Sequence, residues 1–494
     1  MMMRVAEGAS LNDDFAERAM LSPDRSSSSD IDVSSLVVQA AKHDRPKREQ
    51  IDMDAHEGLR GVCALWVMEF HCILYSKSGL ISTLDFQGSS IMPVFFLLSA
   101  YTLTIFYNNI DLSTTATFIK NRLARVLPSY YLFNALAVPL WFYGYQGSSI
   151  DACIFSAVTT ITNTSTLLCF ALGSSLDGPA WTVQTLLWLW MVFPFVMPSI
   201  RKQTTAGLSS LVLVLYWIQA IVLAVIFVAL LIVGFGFWIS FAASTMNPLS
   251  RFPLFMIGMC AGEIVLRCKR NSEAVSKYLT FGFGPVNLFP YNHTCCEGCA
   301  RGADDDMTTI RRLTPDQLQQ EEQLWARRTD LNAASLLLLT LAVFAAGAGA
   351  GTNTLGAVWL QAAVPYMQLT VIVGLCCDGG RSLSYRALTT ALARFLGRIS
   401  MTVYLIHYPV IFYLCWAANS GKRVLYPESL DCSSSYSNTT SPAYTACAAG
   451  LEAYKEALAM PDWGIVGVPA ITVPLSIAAF YLFEEPVRRY FNPK

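Results

Sequence analysis

Ten times between residues 58 and 483 the sequence runs through roughly twenty mainly apolar residues, the length a helix needs to cross a bilayer. The runs cover 58–76, 90–107, 128–145, 181–199, 207–243, 250–267, 333–352, 356–377, 394–416 and 464–483. They predict an all-α integral membrane protein, a bundle of ten transmembrane helices with both termini cytosolic. The fifth run is too long for one straight crossing at about 1.5 Å per residue. It reads either as one span with an interfacial extension or as a helical pair broken near Tyr216–Gln219. Charged residues make up 14% of the chain, against about 25% in soluble domains, and mean hydropathy is +0.43. A net charge of −1 gives no reason to expect a nucleic-acid partner.

Cations fix the expected orientation, because cytosolic loops carry the excess of Lys and Arg. Lys120, Arg122 and Arg125 follow the second run, Arg201 and Lys202 end the fourth, and Arg267, Lys269 and Arg270 end the sixth. Arg381, Arg386, Arg394 and Arg398 precede the ninth, and Arg488, Arg489 and Lys494 follow the last. All fall on one side if 207–243 crosses once. Loops 146–180 and 417–463 then lie on the lumenal or outer side, each with a glycosylation sequon, at Asn163 and Asn438. A third sequon at Asn292 falls on the cytosolic side and is expected to stay unused. Cys432 and Cys447 are a candidate disulfide in the outer loop, as are Cys153 and Cys169.

Residues 1–55 are polar and Ser-rich and read as a disordered cytosolic tail without a cleaved signal peptide. Residues 56–490 read as the membrane domain, with a cytosolic loop at 268–332 that is helical around 314–329. His293, Cys295, Cys296 and Cys299 form one compact cluster, short of the paired ligand spacing of a zinc site, so no metal is expected.

Ionisable residues inside a span are costly and point to function. Arg60 and His71 are eleven positions apart, which places them on one helix face about 16 Å apart along the axis. Ala64 and Val67 lie between them as a candidate groove, and Tyr75 follows one turn on. The cation suits a phosphate-bearing donor and the imidazole a general base. Equally, the Arg can snorkel to headgroups and the His can bond a neighbouring carbonyl. Glu69 lies on the opposite face. Ser99 and Ala100 allow close helix approach, with Ser99 a weak site candidate. Arg122 and Arg125 share a helix face and can clamp phosphate or anchor the span. Ser400 and His407 lie in another apolar run, and Trp181 opens a further one.

In order along the chain, LRGVCALWVMEFH (59–71), FFLLSAYTLT (95–104), FIKNRLARVLPSYY (118–131), PAWTVQTLLWLWMVFP (179–194), RFPLFMIGM (251–259), LGRISMTVYLIHYPV (396–410) and FEEPVRR (483–489) resemble the acyltransferase-3 family. The family includes the O-acetyltransferases of bacterial exopolysaccharide and lipopolysaccharide. The resemblance implies that His71 is catalytic, with Arg60, Arg122 and Arg125 around a cytosolic acyl-CoA entry. Glu69, Tyr75, Ser99, Trp181, Ser400 and His407 would support the site. Acyl-CoA would serve as co-substrate, with no other cofactor, and the acceptor would carry a hydroxyl. Two departures stand out: Leu186 occupies the place of a usual Glu, and Ala100 that of a usual Gly. The expectation is a multi-pass O-acyltransferase of the plasma membrane or an endomembrane. The rivals are a proton-coupled transporter and a catalytically inactive scaffold of the same fold.

Overall fold

The computed structural model describes residues 51–75, 87–143, 150–168, 176–234, 237–279, 313–347, 361–421, 442–461 and 463–491. Sixteen α-helices run through them: α1 Asp54–Leu74, α2 Gln87–Tyr107, α3 Thr115–Phe142, α4 Ile150–Ile161, α5 Ser165–Leu168, α6 Trp181–Lys202, α7 Thr205–Ile232 and α8 Phe237–Met246 come first. There follow α9 Pro248–Asn271, α10 Pro315–Gly347, α11 Pro365–Cys377, α12 Leu383–Leu388, α13 Ala391–Ala418, α14 Pro442–Leu458, α15 Gly464–Ala479 and α16 Glu485–Phe491. No strand occurs among the described residues.

Among the described residues, six segments are long and apolar enough to cross a membrane: Ser90–Tyr107, Gly178–Lys202, Thr205–Ile232, Pro248–Asn271, Ala391–Ala418 and Gly464–Phe491. The other four expected runs are also helical where described. The helices that hold them fall short of a span by charge in α1 and by length in α11, which has 13 residues. The run at 333–352 is the end of α10, whose polar half takes in the helix expected at 314–329.

The fifth run resolves cleanly. There is no break at Tyr216–Gln219, and α7 is continuous for 28 residues. Tyr216 Oη donates to Ala363 O at 3.4 Å and Gln219 Nε2 to Gln361 O at 3.2 Å, so these polar residues mark a buried helix contact. The chain turns instead at Gly234, with φ +95°, where a residue bearing a Cβ would be strained.

The basic segments meet at one end of the bundle. Arg267 donates to Gln203 O and Arg201 O, closing the carbonyl end of α6, while Arg201 donates to Ile110 O before α3. Lys269 donates to Cys376 O, and Arg394 pairs with Asp54 at 2.7 Å. Met460 N–H donates to Tyr75 O at the opposite end.

Two close crossings organise the helices. Gly258 and Gly262 of α9 lie against Leu97, Ala100 and Thr104 of α2. The approach expected from Ser99 and Ala100 therefore involves Ala100, set against glycine. Gly61 of α1 meets Leu396 and Gly397 of α13 so closely that a Cβ there would sit 2.6 Å from Gly397 N. The helices run parallel from that point and bury Val67, Met68 and Cys72 against Ile399, Val403 and Ile406.

Candidate active site

The stripe on α1 forms as its periodicity predicts, but it is not an open groove. Ala64 and Val67 are each 1% exposed, because the glycine crossing draws α13 over them. What remains is two polar centres, one at each end of the seam.

At the basic end, Arg60 donates through Nε to Ser400 Oγ at 2.9 Å and Gly397 O at 3.2 Å, and through Nη2 to Gly397 O at 2.7 Å. Ser400 and Arg60 are therefore one unit. Glu57 lies 3.8 Å from Arg60 and 4.0 Å from Arg398. Arg125 comes from α3 into electrostatic reach of Arg60. It makes no hydrogen bond or ion pair among the described residues, so its donors stay available. Arg122 is elsewhere on α3, its guanidinium 4.8 Å from the Tyr107 ring and 5.6 Å from that of Phe118. It lines a small groove, with about 10 Å³ of usable space, together with Leu187, Trp190 and Met191.

At the far end of the seam, His71 meets His407, with His407 Nε2 3.1 Å from His71 Nδ1. The neighbouring carbonyls assign the protons. His71 Nδ1 lies 2.9 Å from Val67 O, and His407 Nδ1 lies 3.2 Å from Val403 O. A carbonyl only accepts, so both Nδ1 atoms carry hydrogen. His407 Nε2 then faces the Nδ1–H of His71 and must present its lone pair, which makes His407 neutral. The remaining atom, His71 Nε2, is left with its own lone pair and no hydrogen-bond partner among the described residues. His71 thus bonds a neighbouring carbonyl, as one of its two sequence readings has it, and that bond fixes which nitrogen keeps the lone pair.

Aromatic residues enclose the pair. The Tyr408 ring lies 5.5 Å from His71, edge-on, and its hydroxyl is 2.9 Å from that of Tyr75. Thr182, next to Trp181, is 2.8 Å from Tyr404 Oη, which donates to Pro179 O. Trp181 packs into the same core and leans on Phe96. Ser99 lies apart, accepting from Trp190 Nε1 at 2.7 Å. Glu69 is half-buried, with no hydrogen bond or ion pair among the described residues.

Several contributors do not show in the sequence. Asp177 is fully buried, within electrostatic reach of Tyr130, Tyr404 and Tyr408, although Asp177-Gly178-Pro179 reads as an ordinary turn. Close packing of Gly178 on the Tyr408 ring sets that turn at the level of the histidines. Gln184, two residues before Leu186, is buried and donates to Tyr130 Oη at 2.5 Å. Leu186 itself is only partly buried.

Away from the site, Cys447 is disulfide-bonded; its expected partner Cys432 lies outside the described residues. The suggested Cys153–Cys169 pairing does not form, because Cys153 is free and buried beside Trp141 and Leu176. Asn163 Nδ2 donates to Tyr131 Oη at 3.2 Å. Asn438, Asn292 and the cluster at 293–299 lie outside the described residues.

A family model for acyltransferase-3, described as an acyltransferase domain, matches residues 53–415. No curated protein and no solved structure matches the chain.

Proposed function

Because the chain belongs to the acyltransferase-3 family, we propose that it is a multi-pass membrane O-acyltransferase. It would take an acyl group, acetyl first among candidates, from cytosolic acyl-CoA. The acceptor would be a hydroxyl of a carbohydrate, lipid or other molecule on the lumenal or outer side. The observation that carries this reading is the pair of acceptors at His71 Nδ1, Val67 O at 2.9 Å and His407 Nε2 at 3.1 Å, which leaves His71 Nε2 as a lone-pair base.

In this mechanism the acceptor oxygen attacks the thioester carbonyl while its proton moves to His71 Nε2. The resulting imidazolium keeps its Nδ1–H on His407 Nε2 and Val67 O. That contact strengthens as charge develops, the orienting role that a buried partner plays for a catalytic imidazole. Collapse of the tetrahedral adduct breaks the carbon–sulfur bond, and the departing thiolate takes the proton from His71. The products are an acyl ester and free CoA. The donor's phosphates belong at the other centre, where Arg125 has unused donors and Arg60 is held by α13. Guanidinium forks match phosphate oxygens well. Because Ala64 and Val67 close the seam, the acyl arm must reach His71 alongside it.

The test is turnover of labelled acetyl-CoA by the purified protein in lipid discs, beside His71→Ala. The expected result is CoA release that falls by about a hundredfold to ten-thousandfold in the variant, the range typical of general-base loss. Equal rates in the two proteins would end the assignment of His71. Binding without turnover in either would favour the inactive scaffold, for which the missing carboxylate at Leu186 is the motive. Absence of binding would favour a transporter.

A further inference from the structure

Besides Glu57, which lies beside Arg60 and Arg398, the basic end holds a buried carboxylate that the proposed chemistry leaves unused. Glu484 is 7% exposed and closes a single π-helical turn, Phe480–Glu484. The cause of that turn lies two residues on. Pro486 has no N–H to direct at Leu482 O, and in an α-helix its ring would crowd that carbonyl. One extra residue in the turn relieves the conflict and resets the helix phase, a device common at functional sites. The two consecutive glutamates are separated as a result. Glu485 takes the surface arginines, 3.9 Å from Arg488 and 2.6 Å from Arg489. Glu484 turns into the bundle, where Thr402 Oγ1 donates to its Oε2 at 2.6 Å.

There it stands among three guanidiniums, those of Arg125, Arg488 and Arg60, all within electrostatic reach. None of them forms an ion pair with it at 4.0 Å or less. A buried carboxylate that merely neutralised an arginine would be expected in direct contact, since desolvation is offset only by close pairing. This one is aimed by a threonine and held at a distance from all three cations. The arrangement leaves the cationic donors directed elsewhere while lowering the positive potential they share.

We propose that Glu484 sets the affinity of the donor site: its fixed negative charge limits how tightly the arginines hold a polyphosphate, so that spent CoA leaves after transfer. This rests on the reading that Arg60 and Arg125 receive acyl-CoA. The repulsion acts on the phosphates of donor and product alike, and its benefit falls at release, where a tightly held product would stall the enzyme.

The experiment uses the full chain in lipid discs, with free CoA as the probe. Calorimetric affinity is measured for the wild type, Glu484→Gln and Glu484→Asp, alongside steady-state and burst kinetics with acetyl-CoA. Glu484→Gln keeps an acceptor for Thr402 and removes only the charge. It is expected to bind CoA about tenfold tighter, an effect that shrinks as salt rises. Its kcat should fall while the first-turnover burst stays intact. Glu484→Asp keeps the charge and should remain within about twofold of the wild type in affinity. Unchanged or weaker CoA binding by a folded Glu484→Gln overturns the proposal, as does equal behaviour of Gln and Asp. If the wild type itself fails to bind CoA, the acyl-CoA reading falls first and this inference with it.

Discussion

Val67 O sets the tautomer of His71, and His407 Nε2 gives the same Nδ1–H a second acceptor that steadies the ring as a base requires. Without His407, the Nδ1–H of His71 keeps only Val67 O, and the imidazolium formed in the reaction loses one of its two acceptors. His407→Ala should therefore lower kcat by about tenfold to a hundredfold, with little change in KM. The double variant with His71→Ala should be no slower than His71→Ala alone, because groups acting as a unit lose their effect together. Additive losses in that cycle would separate the two residues. The stripe from Arg60 to His71 was legible because eleven residues nearly complete three turns. The pairing with His407 was not, since it joins residues 336 positions apart through a crossing made by Gly61 and Gly397. Glu484 was hidden for a different reason: the π turn shifts the phase that periodicity would assign to FEEPVRR.

At the scale of helices, the crossing of α1 with α13 is the element on which both centres depend. A Cβ on Gly397 would overlap the Glu57 carbonyl, and backbone cannot move aside as a flexible side chain can. Gly397→Ala should cost about 1–3 kcal/mol, visible as a lower melting temperature. It should also weaken turnover by displacing His71 from His407. A melting temperature unchanged from the wild type would show that the helices can slide there at no cost. A second element-scale contact docks α12 on α10. Asp330 accepts from Leu383 N–H at 2.9 Å, Ser384 N–H at 2.8 Å and Ser384 Oγ at 2.7 Å, serving the exposed donors of α12. Burial works to raise its pKa, but these bonds outweigh it and hold the carboxyl below its ordinary value. A depressed folded pKa gives stability that is full above the unfolded value and lost as pH falls through the folded one. Asp330→Asn should thus cost about 1 kcal/mol near pH 7, with the gap from the wild type closing in acid. A gap independent of pH would mean the carboxylate's charge has no part in the docking. Helix existence was readable from apolar runs, whereas breaks were not: half-buried Tyr216 and buried Gln219 offered an interruption as one of two readings, and the real one is at Gly234.

At the scale of the whole molecule, the candidate site divides between the arginine end and the histidine level, separated by about 16 Å of α1. Buried Ala64 and Val67 lie between them, so no chain of polar contacts along that face couples one centre to the other. Donor binding and chemistry should therefore come apart under mutation. Arg125→Ala removes a guanidinium with no structural bond to lose, so it should raise the Kd for CoA about tenfold, the loss of one charge-assisted contact, without lowering thermal stability. His71→Ala should leave that Kd within about twofold while abolishing most turnover, because the imidazole touches neither Arg60 nor Arg125. The measurement is calorimetric CoA affinity and single-turnover rate on the same two variants in lipid discs. Parallel losses of affinity and rate in both would show that the donor's phosphates reach the histidine level. The arginine end would then be no more than the cationic rim common to membrane helices, and the division of labour along α1 would have to be abandoned.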